Sequence, residues 1–194
     1  FNGFHLMRHT LRSLRHRNFR IFYAGQLVSL TGTWMQNLAQ AWLVYRLTGS
    51  GFMLGLVSAA TLLPTLLFAI PGGWLADHLP RKPLLFGAQA LTMLQALVLA
   101  VLTWQGSIEA WHVLVMALLL GIVQAIELPV RHTFVAALVP RADLANAIAL
   151  NASLFQGSRL IGPAIAGLLI GVIGEGGLFF LNALSYLAVL AGLL

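Results

Sequence analysis

The sequence contains no cysteine and very little charge. Without thiols it can form neither a disulfide framework nor a thiolate metal site. Only five of its 194 residues are acidic and eleven are Lys or Arg, so charged residues make up 8% of the chain. A soluble domain carries charge on roughly a quarter to a third of its surface positions, and these side chains cannot supply that. With 59% hydrophobic residues and a mean hydropathy of +0.89, lipid is the solvent that fits. The short motifs of catalysis are missing too. There is no Gly-x4-Gly-Lys-Ser/Thr phosphate loop, no His-Glu-x-x-His and no Gly-x-Ser-x-Gly. The histidines (His5, His9, His16, His78, His112, His132) are scattered, and the His5/His9 pair has no third ligand nearby. No catalytic residue, metal site or cofactor is therefore expected, and a membrane-embedded enzyme is the poorest of the readings.

The charge that is present is strongly basic, +6 overall, but its position argues against nucleic acid. Arg8, Arg12, Arg15, Arg17 and Arg20 crowd the first twenty residues, just before the first apolar span. That placement suits an anionic membrane surface and control of topology. Residues 1–20 are read as a basic cytoplasmic tail, in which Leu6, Leu11, Leu14, Phe19 and Phe22 punctuate the charges. A short interfacial helix and a frayed tail both fit this pattern. The chain opens on Phe1 without a signal-peptide pattern and stops at Leu194 inside an apolar run, so both ends are expected to be cut.

A membrane-crossing helix needs about 20 mostly apolar residues. Six such spans are expected across 21–194: Ile21–Tyr45, Phe52–Ala76, Pro83–Trp104, Trp111–Pro129, Ala145–Ile173 and Leu178–Leu194. Turn-forming residues separate them, among them Thr48-Gly49-Ser50-Gly51 and Gly174-Glu175-Gly176-Gly177. The loop from Arg131 to Asp143 is expected to hold a short interfacial segment. With a cytoplasmic N-terminus, nine Lys/Arg residues (the five above, Arg81, Lys82, Arg131 and Arg141) fall on the cytoplasmic side, and Arg46 alone on the other. This bias orients the chain by the positive-inside rule and requires an even number of spans.

Polar groups within such spans are costly and ask for an explanation. In the first span Gln26, Ser29, Thr33, Gln36, Asn37 and Gln40 fall within an arc of roughly 100° on a helix. They line a water-filled substrate path or bond to neighbouring helices. Gln124, Glu127 and Arg131 share one face of the fourth span, with Glu127 and Arg131 spaced for an i, i+4 ion pair. Glu127 is a candidate proton carrier, or alternatively a structural partner of Arg131. Arg159 is the one charge deep in a span and must pair, contact carbonyls or face water. Glu127 is its nearest candidate partner by depth. Gly162 and Pro163, followed by the small-xxx-small pair Gly167 and Gly171, suit a kinked, closely packed fifth helix. Asn151-Ala152-Ser153 matches a glycosylation sequon but lies within a span.

The loop between the second and third spans reads Gly73-Trp74-Leu75-Ala76-Asp77-His78-Leu79-Pro80-Arg81-Lys82. It resembles the signature loop of the major facilitator superfamily, Gly-x-Leu-Ala-Asp-Arg-x-Gly-Arg-Arg/Lys, matching at Gly73, Leu75, Ala76, Asp77, Arg81 and Lys82. His78 stands in place of the usual basic residue and Pro80 in place of the usual glycine. Asn18-Phe19-Arg20, the segment from Trp42 to Ser50 and Arg159…Gly162-Pro163…Gly167 further resemble the exporters grouped with the enterobactin exporter. The fourth span departs from many drug antiporters of the superfamily, having no arginine around Leu120–Gln124.

The resemblance implies an all-α membrane protein, the N-terminal six-helix half of a twelve-helix fold whose C-terminal half is missing here. Each half of that fold is a three-plus-three inverted repeat. It implies alternating access in the bacterial inner membrane, with a small molecule exported against a proton or other ion gradient. Gln26, Thr33, Gln36, Asn37, Gln40 and Gln124 are then the candidate cavity lining, and Glu127 and Arg159 the candidate coupling groups. The Gly73, Asp77, Arg81 and Lys82 loop is the expected gate, with Asp77 facing a helix N-terminus of the other half. The alternative reading is a six-span structural subunit that transports nothing.

Overall fold

The computed structural model describes residues 12–193, and among these the secondary structure is entirely helical. Arg8, Leu6, Leu11, His5 and His9 of the basic tail lie outside the described residues, as does Leu194. A 3-10 turn at Arg12–Arg15 precedes six helices: α1 (Arg17–Thr48), α2 (Gly51–Leu67), α3 (Ala69–His78), α4 (Arg81–Trp104), α5 (Ala110–Ala137) and α6 (Leu144–Leu193). A second 3-10 turn, Arg141–Asp143, leads into α6.

The helix ends follow local chemistry. α1 stops at Gly49, whose φ of 61° closes the helix while its N–H donates to the Tyr45 carbonyl. Ser50 then caps α2, its hydroxyl accepting from the Met53 N–H. The expected second span is broken, because α2 and α3 meet at Phe68 with a 51° bend. Pro71 is the physical cause. It has no N–H for the Leu67 carbonyl, and its ring crowds that carbonyl. Gly174 breaks α6 with φ 67° and ψ −179°, a conformation open to glycine. The neighbouring Gly176 and Gly177 stay helical, so only one residue of the expected four-residue interruption leaves the helix.

Contacts along α1 give the direction of the two limbs of α6. Ser13 bonds to Asn146, Thr31 to Ser158, and Gly162 lies against Thr31 and Met35. Residues 144–173 therefore run parallel to α1. The second limb, 175–193, runs back: Arg46 pairs with Glu175 at 2.8 Å, Gly32 abuts Asn182 and Ser185, Gly25 abuts Val189, and Gly192 faces Ile21. The chain reverses at Gly174. Elsewhere α2 and α3 pack on α5, and α4 sits between α5 and α6.

By length and composition, three of the described helices are able to cross a membrane, or four when the bent α2–α3 pair counts as one span. Several helices overrun the spans expected from the sequence. α5 continues past Pro129 to Ala137, carrying Arg131 on a helix rather than a loop. Phe19 and Phe22, read as possible interfacial anchors, are buried at 1% and 4% exposure. Phe19 packs on Tyr23 and Phe22 on the edge of Phe134, because α1 begins at Arg17 and takes both into the core.

Two apolar clusters fill the interior. One is built around Leu43, Leu99, Val113 and Phe179, the other around Phe19, Leu85, Val130 and Val189. At the α2/α3–α5 seam, backbone meets backbone. A Cβ at Gly121 would strike the Thr61 carbonyl, and one at Gly72 the Ala125 carbonyl. The Thr65 hydroxyl adds a 3.0 Å bond to the Gly121 carbonyl. Gly73, beside Gly72, faces open space. Gly72→Ala is therefore expected to cost about 1–3 kcal/mol through overpacking, and Gly73→Ala to be neutral. Thermal unfolding in detergent, followed by helical circular dichroism, checks this; equal midpoints for the two variants would contradict the packing.

Candidate functional site

Between the two apolar clusters lies a layer of polar side chains from four helices. α1 supplies Gln26, Ser29, Thr33 and Gln36, while α4 supplies Gln89, Thr92 and Gln95. Glu127 and Arg131 come from α5, and Asn182, Ser185 and Tyr186 from the second limb of α6. The layer divides into two parts, one packed solid and the other open to a cavity.

The solid part is a chain of side-chain amides. Asn182 Nδ2 donates to Gln36 Oε1 at 2.7 Å, and Gln36 Nε2 donates to Gln95 Oε1 at 3.0 Å. Ser185 Oγ donates to the Asn182 carbonyl at 2.6 Å. α1 comes close enough to join this chain because Gly32 has no side chain, and a Cβ there would meet Ser185 Oγ and Asn182 Oδ1. Gln36 was a candidate for the cavity lining; instead it is 2% exposed and bonds α1 to α4 and α6. Gln40 is buried as well and lies outside the cavity wall. One edge of the α1 stripe faces open space and the other faces helices, which a 100° arc of residues permits.

The open part is a cavity of about 340 Å³. Gln26, Thr33, Asn37, Gln124 and Glu127, all singled out from the sequence, line it. Gln89, Thr92, Arg131 and Tyr186 line it too, and Trp34, Leu30, Leu120 and Phe155 give it apolar walls. Thr33 Oγ1 lies 2.9 Å from the Tyr186 hydroxyl. The signal that could have found Gln89, Thr92 and Gln95 is their i, i+3, i+6 spacing, a second polar stripe on α4.

Glu127 and Arg131 sit one helical turn apart on α5, both under 10% exposed. Glu127 Oε1 accepts from Gln89 Nε2 at 2.9 Å and from Arg131 Nη1 at 3.5 Å. The second contact is long for a charge-assisted bond, which ordinarily measures about 2.7–2.9 Å. Arg131 Nε is buried with no acceptor in reach. Arg131, Leu128 and Phe155 also wall a neighbouring cavity of about 280 Å³ between α5 and α6, beside His132, Asn151 and Gln156.

Arg159 and Glu127 do not meet. The Arg159 guanidinium lies over the Trp34 ring, 5.5 Å from its centroid, and the residue is exposed. Among the described residues no carboxylate pairs with it. Arg131 takes the place at Glu127 because both lie on α5, one turn apart, whereas the Arg159 guanidinium packs over Trp34. The glycine motif is also used differently. Gly162 makes the close approach, with the Trp34 Cβ and the Thr31 carbonyl where its own Cβ would stand. Gly167 and Gly171 face open space and bring no helix close among the described residues.

The segment 73–82, expected as a loop, is helical except at Leu79 and Pro80: Asp77 lies in the last turn of α3, and Arg81 and Lys82 open α4, at the end of the bundle where α1 begins. Asp77, Arg81 and Lys82 are exposed, and among the described residues Asp77 has no ion-pair partner. His78 Nδ1 is 2.8 Å from the Trp74 carbonyl, and its ring stacks on Trp74. At the same end Asp143 accepts Arg12 at 2.6 Å and His16 at 2.8 Å, while Ser13 bonds Asp143 and Asn146. This cluster ties the start of α1 to the start of α6.

A polar, partly charged cavity inside an apolar helical bundle is the setting in which the comparisons with known proteins apply. The family described as transmembrane secretion effector, a branch of the major facilitator superfamily, matches residues 8–194. The chain belongs to that superfamily. Among its relatives, the staphyloferrin A transporter of Staphylococcus aureus is 28% identical over 168 residues, which is 86% of this chain and 42% of the relative. Macrolide efflux protein A of Streptococcus pyogenes is 28% identical over 154 residues, 79% of this chain and 38% of the relative. The multidrug efflux pump Tap of Mycobacterium tuberculosis is 27% identical over 180 residues, 89% of this chain and 42% of the relative. The chain thus spans less than half the length of these relatives, which are transporters rather than enzymes. Like other members of the superfamily it is an integral membrane protein.

The pair at Glu127 has a direct thermodynamic consequence. Removing one partner of a buried ion pair leaves an uncompensated charge, at a cost on the order of 3 kcal/mol or more. Glu127→Leu should lower the thermal midpoint in detergent far more than Glu127→Gln, which keeps an acceptor for Arg131. Equal midpoints would mean that Arg131 is satisfied elsewhere.

Proposed function

We propose that this chain is one half of a secondary active transporter that exports a small molecule by alternating access, coupled to an ion gradient. The observation that carries the reading is the cavity of about 340 Å³, lined by polar and apolar side chains together, set inside a bundle whose outside is apolar. Family membership and relatives named for transport and efflux support it.

In this proposal the chain crosses the membrane six times, as half of a twelve-helix fold with a three-plus-three inverted repeat. The support is geometric. α6 has 50 residues, about 75 Å of helix against a hydrocarbon core of about 30 Å, and it doubles back at Gly174. The bent α2–α3 pair is one crossing, and α1 crosses despite its polar stripe because that stripe is turned inward. The N-terminus lies in the cytoplasm by the nine-to-one distribution of Lys and Arg. The membrane is then the bacterial plasma membrane, and the missing partner is the second six-helix half. Its arrival closes the cavity and supplies a helix N-terminus for Asp77.

Asp77, Arg81 and Lys82 form the gate in this scheme, holding the cytoplasmic side shut and letting go as it opens. Glu127 is the proton carrier, faced by Arg131 on its own helix, by Gln89 on α4 and by Tyr186 on α6.

Two measurements on the full-length protein in proteoliposomes test the scheme. Asp77→Asn should cut gradient-driven transport at least tenfold with little loss of expression, since Asp77 is exposed; equal losses of both would make it a folding residue. Glu127→Gln should flatten the pH profile of transport, and an unchanged profile would remove Glu127 from proton coupling. Reading the coding sequence beyond Leu194 tests the architecture, because a second bundle of six spans is expected there. A stop at that point would favour a non-transporting subunit.

A further inference from the structure

We infer that the cavity takes a small molecule bearing an anionic group, such as a carboxylate, with Arg131 as its contact residue and Arg159, over the wall residue Trp34, adding to the attraction. The inference deepens the transport reading and rests on the same site.

The first ground is the state of Arg131. It is 7% exposed, yet its link to Glu127 is a single 3.5 Å contact and its Nε has no acceptor. A guanidinium has five N–H donors and no acceptor. Buried donors left unpaired are costly, so each such case asks for a partner. A guanidinium in a residue that lines a cavity asks for an oxygen acceptor, and a charged donor is best satisfied by a charged one.

The second ground is the balance of charge. Glu127 is the one carboxylate lining the cavity, and it already accepts from Gln89 and Arg131. Two guanidiniums stand against it: Arg131 in the wall, and Arg159 over the wall residue Trp34. The exposed guanidinium at Arg159 has no carboxylate partner among the described residues. One unit of positive charge is therefore left over around a space with apolar walls, where screening by water is reduced. A cationic ligand would meet repulsion from both arginines, while an anion would meet attraction from both. Trp34, Phe155 and Leu120 offer such an anion a flat apolar surface for the rest of its body.

The third ground is access. Arg131 walls both the central cavity and the smaller one between α5 and α6. The residue therefore borders both compartments.

The test compares three probes of one shape and three charges: benzoate, benzyl alcohol and benzylamine. Each is radiolabelled and bound at equilibrium to the purified full-length protein in nanodiscs. Benzoate should bind at least tenfold more tightly than benzylamine. Arg159→Gln, at an exposed position, should weaken benzoate severalfold without changing benzyl alcohol binding. Because Arg131→Gln alone strands Glu127, the paired variant Arg131→Gln/Glu127→Gln removes the contact guanidinium without changing the net charge around the cavity, and it should lose the greater part of the preference for benzoate. Benzylamine binding as tightly as benzoate, no probe binding at all, or the greater part of the preference surviving in the paired variant would each overturn the inference. The transport reading fails separately. If the benzoate preference holds in nanodiscs while no probe is moved by a gradient in proteoliposomes, the anion site stands and transport does not.

Discussion

Every polar group inside this bundle has to find its partner within the protein, because hydrocarbon offers none. That constraint explains the helical backbone and also the close approaches that the packing depends on. Glycine is spent where helices must come close: Gly72 of α3 against Ala125 of α5, Gly121 of α5 against Thr61 of α2, Gly162 of α6 against Thr31 and Trp34 of α1, and Gly32 of α1 against the Asn182 and Ser185 side chains of α6. At Gly32 the approach is what lets the Gln95–Gln36–Asn182 chain close. At Gly121 it brings Thr65 to a carbonyl. Apolar packing fills the two ends, but the register of the helices is set by these polar and backbone contacts in the middle.

The same constraint separates structure from function within one polar layer. Gln36 and Asn182 satisfy one another, and Gln36 also donates to Gln95, away from the cavity wall. Arg131, Gln26 and Gln89 each keep an atom without a partner, and all three face the cavity. Gln40 Oε1 and Gln95 Nε2 are unpaired away from this cavity, so it is the charged donor of Arg131, rather than unpaired atoms as such, that sets the cavity apart.

Much of this was legible in the sequence, and the reasons are specific. Low charge and long apolar runs exposed the membrane class. The 100° stripe on α1 and the i, i+4 pair on α5 pointed at the cavity, because helical periodicity converts spacing into a shared face. The Asp77 loop identified the superfamily. What spacing could not give was depth between helices. Gln36 and Asn37 are neighbours in the stripe, yet one is locked to α4 and α6 while the other lines the cavity. Arg159 and Glu127 were matched by depth along their spans, but Arg159 packs over Trp34 and Glu127 pairs with Arg131 on its own helix. The Gly167/Gly171 pair matched a packing motif, while the contact itself is made one turn earlier at Gly162, because that is where α6 passes Trp34.

The reversal at Gly174 carries a consequence for biogenesis. A single residue with φ 67° joins two helices that run in opposite directions, and Arg46 clasps the turn through Glu175. Such a turn leaves no loop for a protease to cut or for an inserted tag to occupy. The two limbs therefore form one helical hairpin, and α1, made earlier in the chain, is the surface on which both of them close.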